Sequence, residues 1–331
     1  VSARWLAVAT AFATAACEPL PPPITVINYP PRAPAVQWTE QSVSVPAPPV
    51  AAPAEAEPDR VVVTTSDFEF VGGRLDFEVH QSGTRVRQIV RNRYMIPVVI
   101  AWEVSGLANL EPTGPLHGVV VVPPGSAPDT DGPEVELATF SVADPRQSWN
   151  RHFAFHARFG DPNVRPQPYA YALPYAGTFS VLQGFHGAFS HRGSNEYAVD
   201  FDCPVATTVR AARPGVVVVT YDAVQGSGTT PDFLDYSHVN FVLVLHDDGT
   251  LGEYMHLSPS GVEVQPGQRV ERGQALALSG NTGYSTTPHL HFQVMTAAND
   301  GIAAQSFPFE IAVGKDHSEA PAQGRSYTSW E

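Results

Sequence analysis

The chain has 331 residues, 43% of them hydrophobic, enough to bury at least one sizeable core, and its length suggests about two domains. A formal net charge of -14 excludes the basic field that a nucleic-acid or anionic-membrane binder needs to release counterions from phosphates. Thirty-two prolines and 26 glycines, set against weak helical periodicity, predict a strand-dominated protein rich in turns.

Residues 1–17 hold one basic residue, Arg4, followed by an apolar run of about a dozen residues, which fits a secretory leader and is too short to span a bilayer. Thr14-Ala15-Ala16-Cys17 resembles a bacterial lipobox, which implies export to the cell envelope or periplasm and a lipid anchor at Cys17. Thr14 stands where leucine is usual, and Ala13-Thr14-Ala15 would serve instead as an ordinary secretory cleavage site. Cys203 then has no intrachain partner, so no disulfide framework is expected, and it reads as a small buried hydrophobe.

Residues 18–59 are dense in proline and read as a semi-rigid tether, at about 3.1 Å per residue on the order of 100 Å long. Residues 60–175 alternate apolar and polar side chains in short runs. "RLDFEVH" turns Leu75, Phe77 and Val79 inward, and "RHFAFHARFG" turns Phe153, Phe155 and Ala157 inward with His152, His156 and Arg158 on a solvated face. About six or seven such runs predict a β-sandwich-like domain. Residues 176–313 again read as β, with a hairpin in "NFVLVLHDDGTLGEYMHLS" turning at Asp248-Gly249. Residues 314–331 read as a polar, frayed tail.

Seven of the twelve histidines lie from His186 to His291. "STTPHLHFQV" places His289 and His291 two apart, on one face of a strand, with Leu290 and Phe292 turned to a core. "FSHRGSNEYAVDF" supplies His191 and, in the next strand, Asp200; "EYMHLS" supplies His256 at a strand end. Zinc accepts imidazole nitrogen and carboxylate oxygen, and a catalytic site uses three protein ligands with one position left for water. His238 and His246 fall outside this pattern and are expected in solvent, and Asn281, Thr282 and Tyr284 are expected along a groove.

These three segments, over about residues 180–295, closely resemble the signature of the lysostaphin-like (LytM-type) zinc endopeptidases of peptidoglycan. The resemblance implies an antiparallel β-sheet or open-barrel peptidase domain, one zinc ion held by His191, Asp200 and His291, and catalytic roles for His256 and His289. It also implies peptidoglycan stem peptides as substrate, with a regulatory protein partner as a further expectation. Eight residues separate His191 from Asp200, where many members have three, which makes His186 the alternative first ligand. A second class is an inactive relative that binds and activates cell-wall amidases; retention of every ligand weighs against it. Neither a G-x-S-x-G elbow nor an H-E-x-x-H helix is present. "VEVQPGQRVERGQALA" also resembles biotinyl or lipoyl carrier strands, which need a lysine at the hairpin tip that is missing here.

Overall fold

The computed structural model describes the backbone of two strands, Thr39–Val45 and Arg60–Ser66, and residues 74–234 and 236–329. The leader, the lipobox and most of the proline-rich stretch lie outside the described residues. Among the described residues the protein is all-β, with three short 3-10 turns as its only helical elements.

The first region is a β-sandwich. One sheet runs Arg60–Ser66, Leu75–Ser82, Arg85–Asn92, Val135–Val142, Leu110–Pro112; the other runs Thr39–Val45, Trp149–Phe159, Val98–Ala108, His117–Val122. The inward alternation holds: Phe77 packs 5.3 Å from Phe153 and 4.4 Å from Phe155, ring centre to ring centre. Thr39–Val45, inside the expected tether, is a strand pairing antiparallel with Trp149–Phe159. It is free of proline, so its backbone N–H groups can join the ladder.

The second region is a nine-stranded antiparallel sheet, curled into a half-barrel. Leu290–Ala297 lies near its middle, between Leu251–Met255 and Val199–Phe201, and Thr178–Gln183 follows on the far side of Val199–Phe201. Leu290, Phe292 and Val294 face a core shared with Val199, Phe201, Val242, Val244 and Tyr254. The expected hairpin joins Phe241–Leu245 to Leu251–Met255, with Gly249 at φ 84° in the turn. Cys203 is fully buried and free, and burial pushes its thiol pKa up, as a structural cysteine requires.

Three expectations fail, each because a face taken as solvated is covered. His156 is buried, since the outer face of Trp149–Phe159 packs on the second region: Gly301 stands against the backbone of Ala101, and Thr296 Oγ1 donates to Asp161 O at 2.9 Å. One apolar cluster runs from Phe153, Phe155 and Phe159 into Val219, Phe241, Leu243, Leu251 and Met295, and residues 36–331 form one compact unit. His246 is buried beside the hairpin turn, its Nδ1–H directed at Pro214 O (3.0 Å), and burial pushes its pKa down to about 4; His238 is half-buried. The tail is not frayed throughout: Ser326–Thr328 pairs with Thr178–Ser180, and buried Tyr327 accepts a hydrogen bond from the Tyr175 hydroxyl at 3.0 Å.

Candidate metal centre

Strand geometry places the first two donors. Asp200 pairs with His291 across antiparallel neighbours, so both side chains leave the sheet on the same side, opposite Leu290 and Phe292. His191 arrives from the loop after Thr178–Gln183, and His289 sits one residue before Leu290–Ala297, bridged to Gly280. His256 falls between two strands at φ 63°, a left-handed conformation uncommon for a residue with a side chain. That backbone turn takes it out of the sheet and brings its ring centre 4.4 Å from that of His289 and 5.9 Å from that of His291.

The donor atoms of His191, Asp200 and His291 all lie within 4.8 Å of one another. The three residues are 0%, 7% and 5% exposed, so water screens little of what they do. His191 Nε2 lies 3.1 Å from Asp200 Oδ2; His291 Nδ1 lies 2.9 Å and His289 Nε2 3.7 Å from Asp200 Oδ1. Backbone carbonyls set three of the tautomers, because a carbonyl only accepts. His191 Nδ1 donates to Gly184 O (2.9 Å), His256 Nδ1 to Thr282 O (2.6 Å) and His289 Nδ1 to Thr287 O (2.8 Å). Each neutral ring then keeps a lone pair on Nε2.

This set fits a zinc ion. With its proton on Nδ1, His191 turns a buried Nε2 lone pair to Asp200 Oδ2 at 3.1 Å with no hydrogen bond between them, a costly state that a cation relieves, and His291 Nδ1 meets the other oxygen of the same carboxylate. Burial opposes ionisation of Asp200, but the imidazoles of His191 and His291 against its oxygens and the charges of His291 and His289 outweigh it and hold its pKa well below the usual carboxylate range. Burial likewise opposes protonation of His291, and Asp200 overcomes it, leaving the pKa raised. His256 has no such partner in contact: burial, then the neighbouring imidazoles His289 and His291, press its pKa well below the usual value.

His186 lies outside the cluster, largely exposed, with Nδ1 3.2 Å from Glu196 Oε1. Thr282 is buried behind His256 rather than along a groove; Asn281 and Tyr284 are half-buried at the rim. Ser285 links Asn281 Oδ1 (2.7 Å) to His289 Nδ1 (3.2 Å). Glu253 and Gln293 escape sequence reasoning, although Gln293 continues the alternation of His289 and His291. Gln293 donates to Glu253, which is 1% exposed and also accepts from the Tyr236 hydroxyl at 2.6 Å.

An antiparallel sheet presenting this donor set with two further imidazoles is the make-up of a metallopeptidase domain. Residues 194–303 match the model of Peptidase family M23, and the chain carries a lysostaphin-like domain of that family. It is 41% identical over 124 residues to the glycyl-glycine endopeptidase ALE-1 of Staphylococcus capitis, covering 37% of this chain and 31% of that protein. It is 36% identical over 96 residues to the peptidoglycan DD-endopeptidase ShyA of Vibrio cholerae, covering 29% and 19%. The catalytic domain of the antimicrobial peptidase lysostaphin from Staphylococcus simulans matches at 30% identity over 40% of this chain and 88% of that one, with a TM-score of 0.28. The chain thus spans less than a third of the length of these two curated relatives.

Proposed function

We propose that the protein is a zinc-dependent endopeptidase that hydrolyses the stem-peptide cross-links of peptidoglycan, with His191, Asp200 and His291 as metal ligands and His256 and His289 as catalytic residues. The observation that carries it is the buried convergence of those five side chains, with the unpartnered His191 Nε2 and the His291 Nδ1 against one carboxylate. The names of two relatives, a glycyl-glycine endopeptidase and a peptidoglycan DD-endopeptidase, support the substrate class.

Bound there, zinc supplies Lewis-acid polarisation of the scissile carbonyl and lowers the pKa of water toward 7. His256, kept neutral by its surroundings, accepts the proton of the attacking water on Nε2. His289, its Nδ1 committed to Thr287 O, turns Nε2 to the same space and, when protonated, donates to the developing oxyanion or to the departing amine nitrogen. One C–O bond forms and the C–N bond breaks; the amine leaves with the proton that His289 gives up, and the proton taken from water stays on His256 until it is released to solvent.

The protein works outside the cytoplasm on this proposal, exported by residues 1–17, anchored at Cys17 and spaced from the membrane by the proline-rich stretch that follows. On this proposal residues 60–175, joined by the strand Thr39–Val45, form the sandwich domain, and residues 176–313, joined by Ser326–Thr328, form the peptidase domain. A regulatory partner that displaces the sandwich has to cover Phe241, Leu243 and Leu251, which share its apolar cluster. The test is metal analysis of the purified chain, then mass spectrometry of digested peptidoglycan. Near one zinc per chain with cleaved cross-links, and loss of both on chelation, is the expected result; no zinc and no cleavage selects the amidase-activating scaffold.

A further inference from the structure

We infer that Gln183 is a positioning residue of the metal centre, orienting the Asp200 carboxylate and at the same time fixing the loop that delivers His191. The inference rests on the reading of His191, Asp200 and His291 as ligands. Gln183 ends the strand Thr178–Gln183 and stands opposite Asp200 in the antiparallel pair, after a register irregularity that follows Val181. At 7% exposure it has little access to water, and its amide is saturated within the protein. Nε2 donates to Asp200 Oδ2 at 3.0 Å and to Ser190 Oγ at 2.9 Å. Oε1 accepts the backbone N–H of Phe189 at 2.9 Å and of Ser190 at 3.1 Å. All four hydrogen-bonding positions of the amide are therefore used, one on the carboxylate and three on the loop.

The contacts of Asp200 explain why the amide matters. Its other close partners are imidazole nitrogens of His191, His289 and His291. The His191 nitrogen that faces the carboxylate carries no proton, whereas the Gln183 amide keeps its own and continues to hold the carboxylate when a cation is bound. The loop shows the same fit. A Cβ on Gly187 would overlap Cγ and Cδ of Gln183, so glycine there lets the side chain pass beneath the loop. Gly184, next in the chain to Gln183, offers the carbonyl that fixes the tautomer of His191. In "QGFHGAFSH" the strand end thus sets both ligands of the His191–Asp200 side.

Two variants of the full chain test this through metal affinity, read by competition with a chromogenic chelator, and through the visible spectrum of the cobalt-loaded protein. Gln183→Met keeps the bulk and removes every hydrogen bond; Gly187→Ala keeps every hydrogen-bonding group and displaces the Gln183 side chain. Both are expected to weaken zinc binding by about 10–100-fold and to shift the cobalt bands, as loss of an outer-sphere partner does. Melting of the metal-free proteins separates this from damage to the fold. A lowered melting temperature with zinc affinity and cobalt spectrum equal to the parent's would overturn the inference and leave the ligand assignment standing. A parent chain that binds no zinc would overturn both.

Discussion

The strand Trp149–Phe159 and the stretch running into Leu290–Ala297 both alternate histidine with core residues. His152 and His156 flank Phe153 and Phe155 in one; His289 and His291 flank Leu290 and enter Phe292 in the other. Both lie inside antiparallel sheets, and His156 and His291 are both buried. Their cross-strand neighbours differ. His156 pairs with Ala101, and burial, aided by the Arg158 cation, pushes its pKa down to about 4. His291 pairs with Asp200, which lifts its pKa against burial. Alternation delivers imidazoles to one face, and the partner strand decides whether they meet an anion.

The largest effect that sharpens this contrast is expected from His291→Ala. It should abolish zinc binding and lower cross-link cleavage at least about a thousandfold, the rate equivalent of several kcal/mol of lost metal catalysis. His156→Gln should leave zinc content at the parental level by elemental analysis; a loss there would break the distinction between the two strands.

Packing comes next. Phe159 is buried between Tyr94 and Tyr236, at ring distances of 5.0 and 6.2 Å, where the sandwich meets the second sheet. Phe159→Ala is expected to cost about 3–5 kcal/mol by denaturant unfolding. A cost below about 1 kcal/mol would mean that the two regions are less firmly joined than their common core indicates.

Acid should separate the two histidine populations. His156 and His246 have folded pKa values near 4, below the ordinary 6.5, so the unfolded chain binds more protons between those limits. Their contribution is complete above pH 6.5 and is lost as pH falls through 4. For the almost fully buried His246 it amounts to roughly 3 kcal/mol. A His246→Gln variant should show a shallower loss of stability over that window, and an unchanged slope would contradict the burial argument. The smallest effect belongs to His186→Ala, which removes a solvent-exposed pair with Glu196 and should change stability by less than about 0.5 kcal/mol with zinc content intact.

Much of this site was legible in the chain. Asp200 and His291 could be placed on strands, and His289 and His291 on one face, because a period of two is a property of the backbone. Gln183 was not legible, since a lone polar residue in "FSVLQGF" gives no hint that its strand will lie against that of Asp200. The burial of His156 and His246 is not legible for a related reason: local alternation shows which face is polar and not what covers it in the fold. Thr39–Val45 was hidden by the prolines on either side, which dominate the composition of the stretch without entering the strand.

By itself the sequence determined an all-β chain, an alternation that turns particular side chains inward, and a set of histidines and one aspartate whose order matches a metallopeptidase signature. These are consequences of strand period, turn chemistry and side-chain type, all of which act over a few residues. Only the tertiary structure decided which polar faces are dry, that the sandwich and the second sheet share one apolar cluster, and that Gln183 stands against Asp200. Those depend on strands distant in the chain becoming neighbours, and burial and hydrogen-bond partnership are set by neighbours in space.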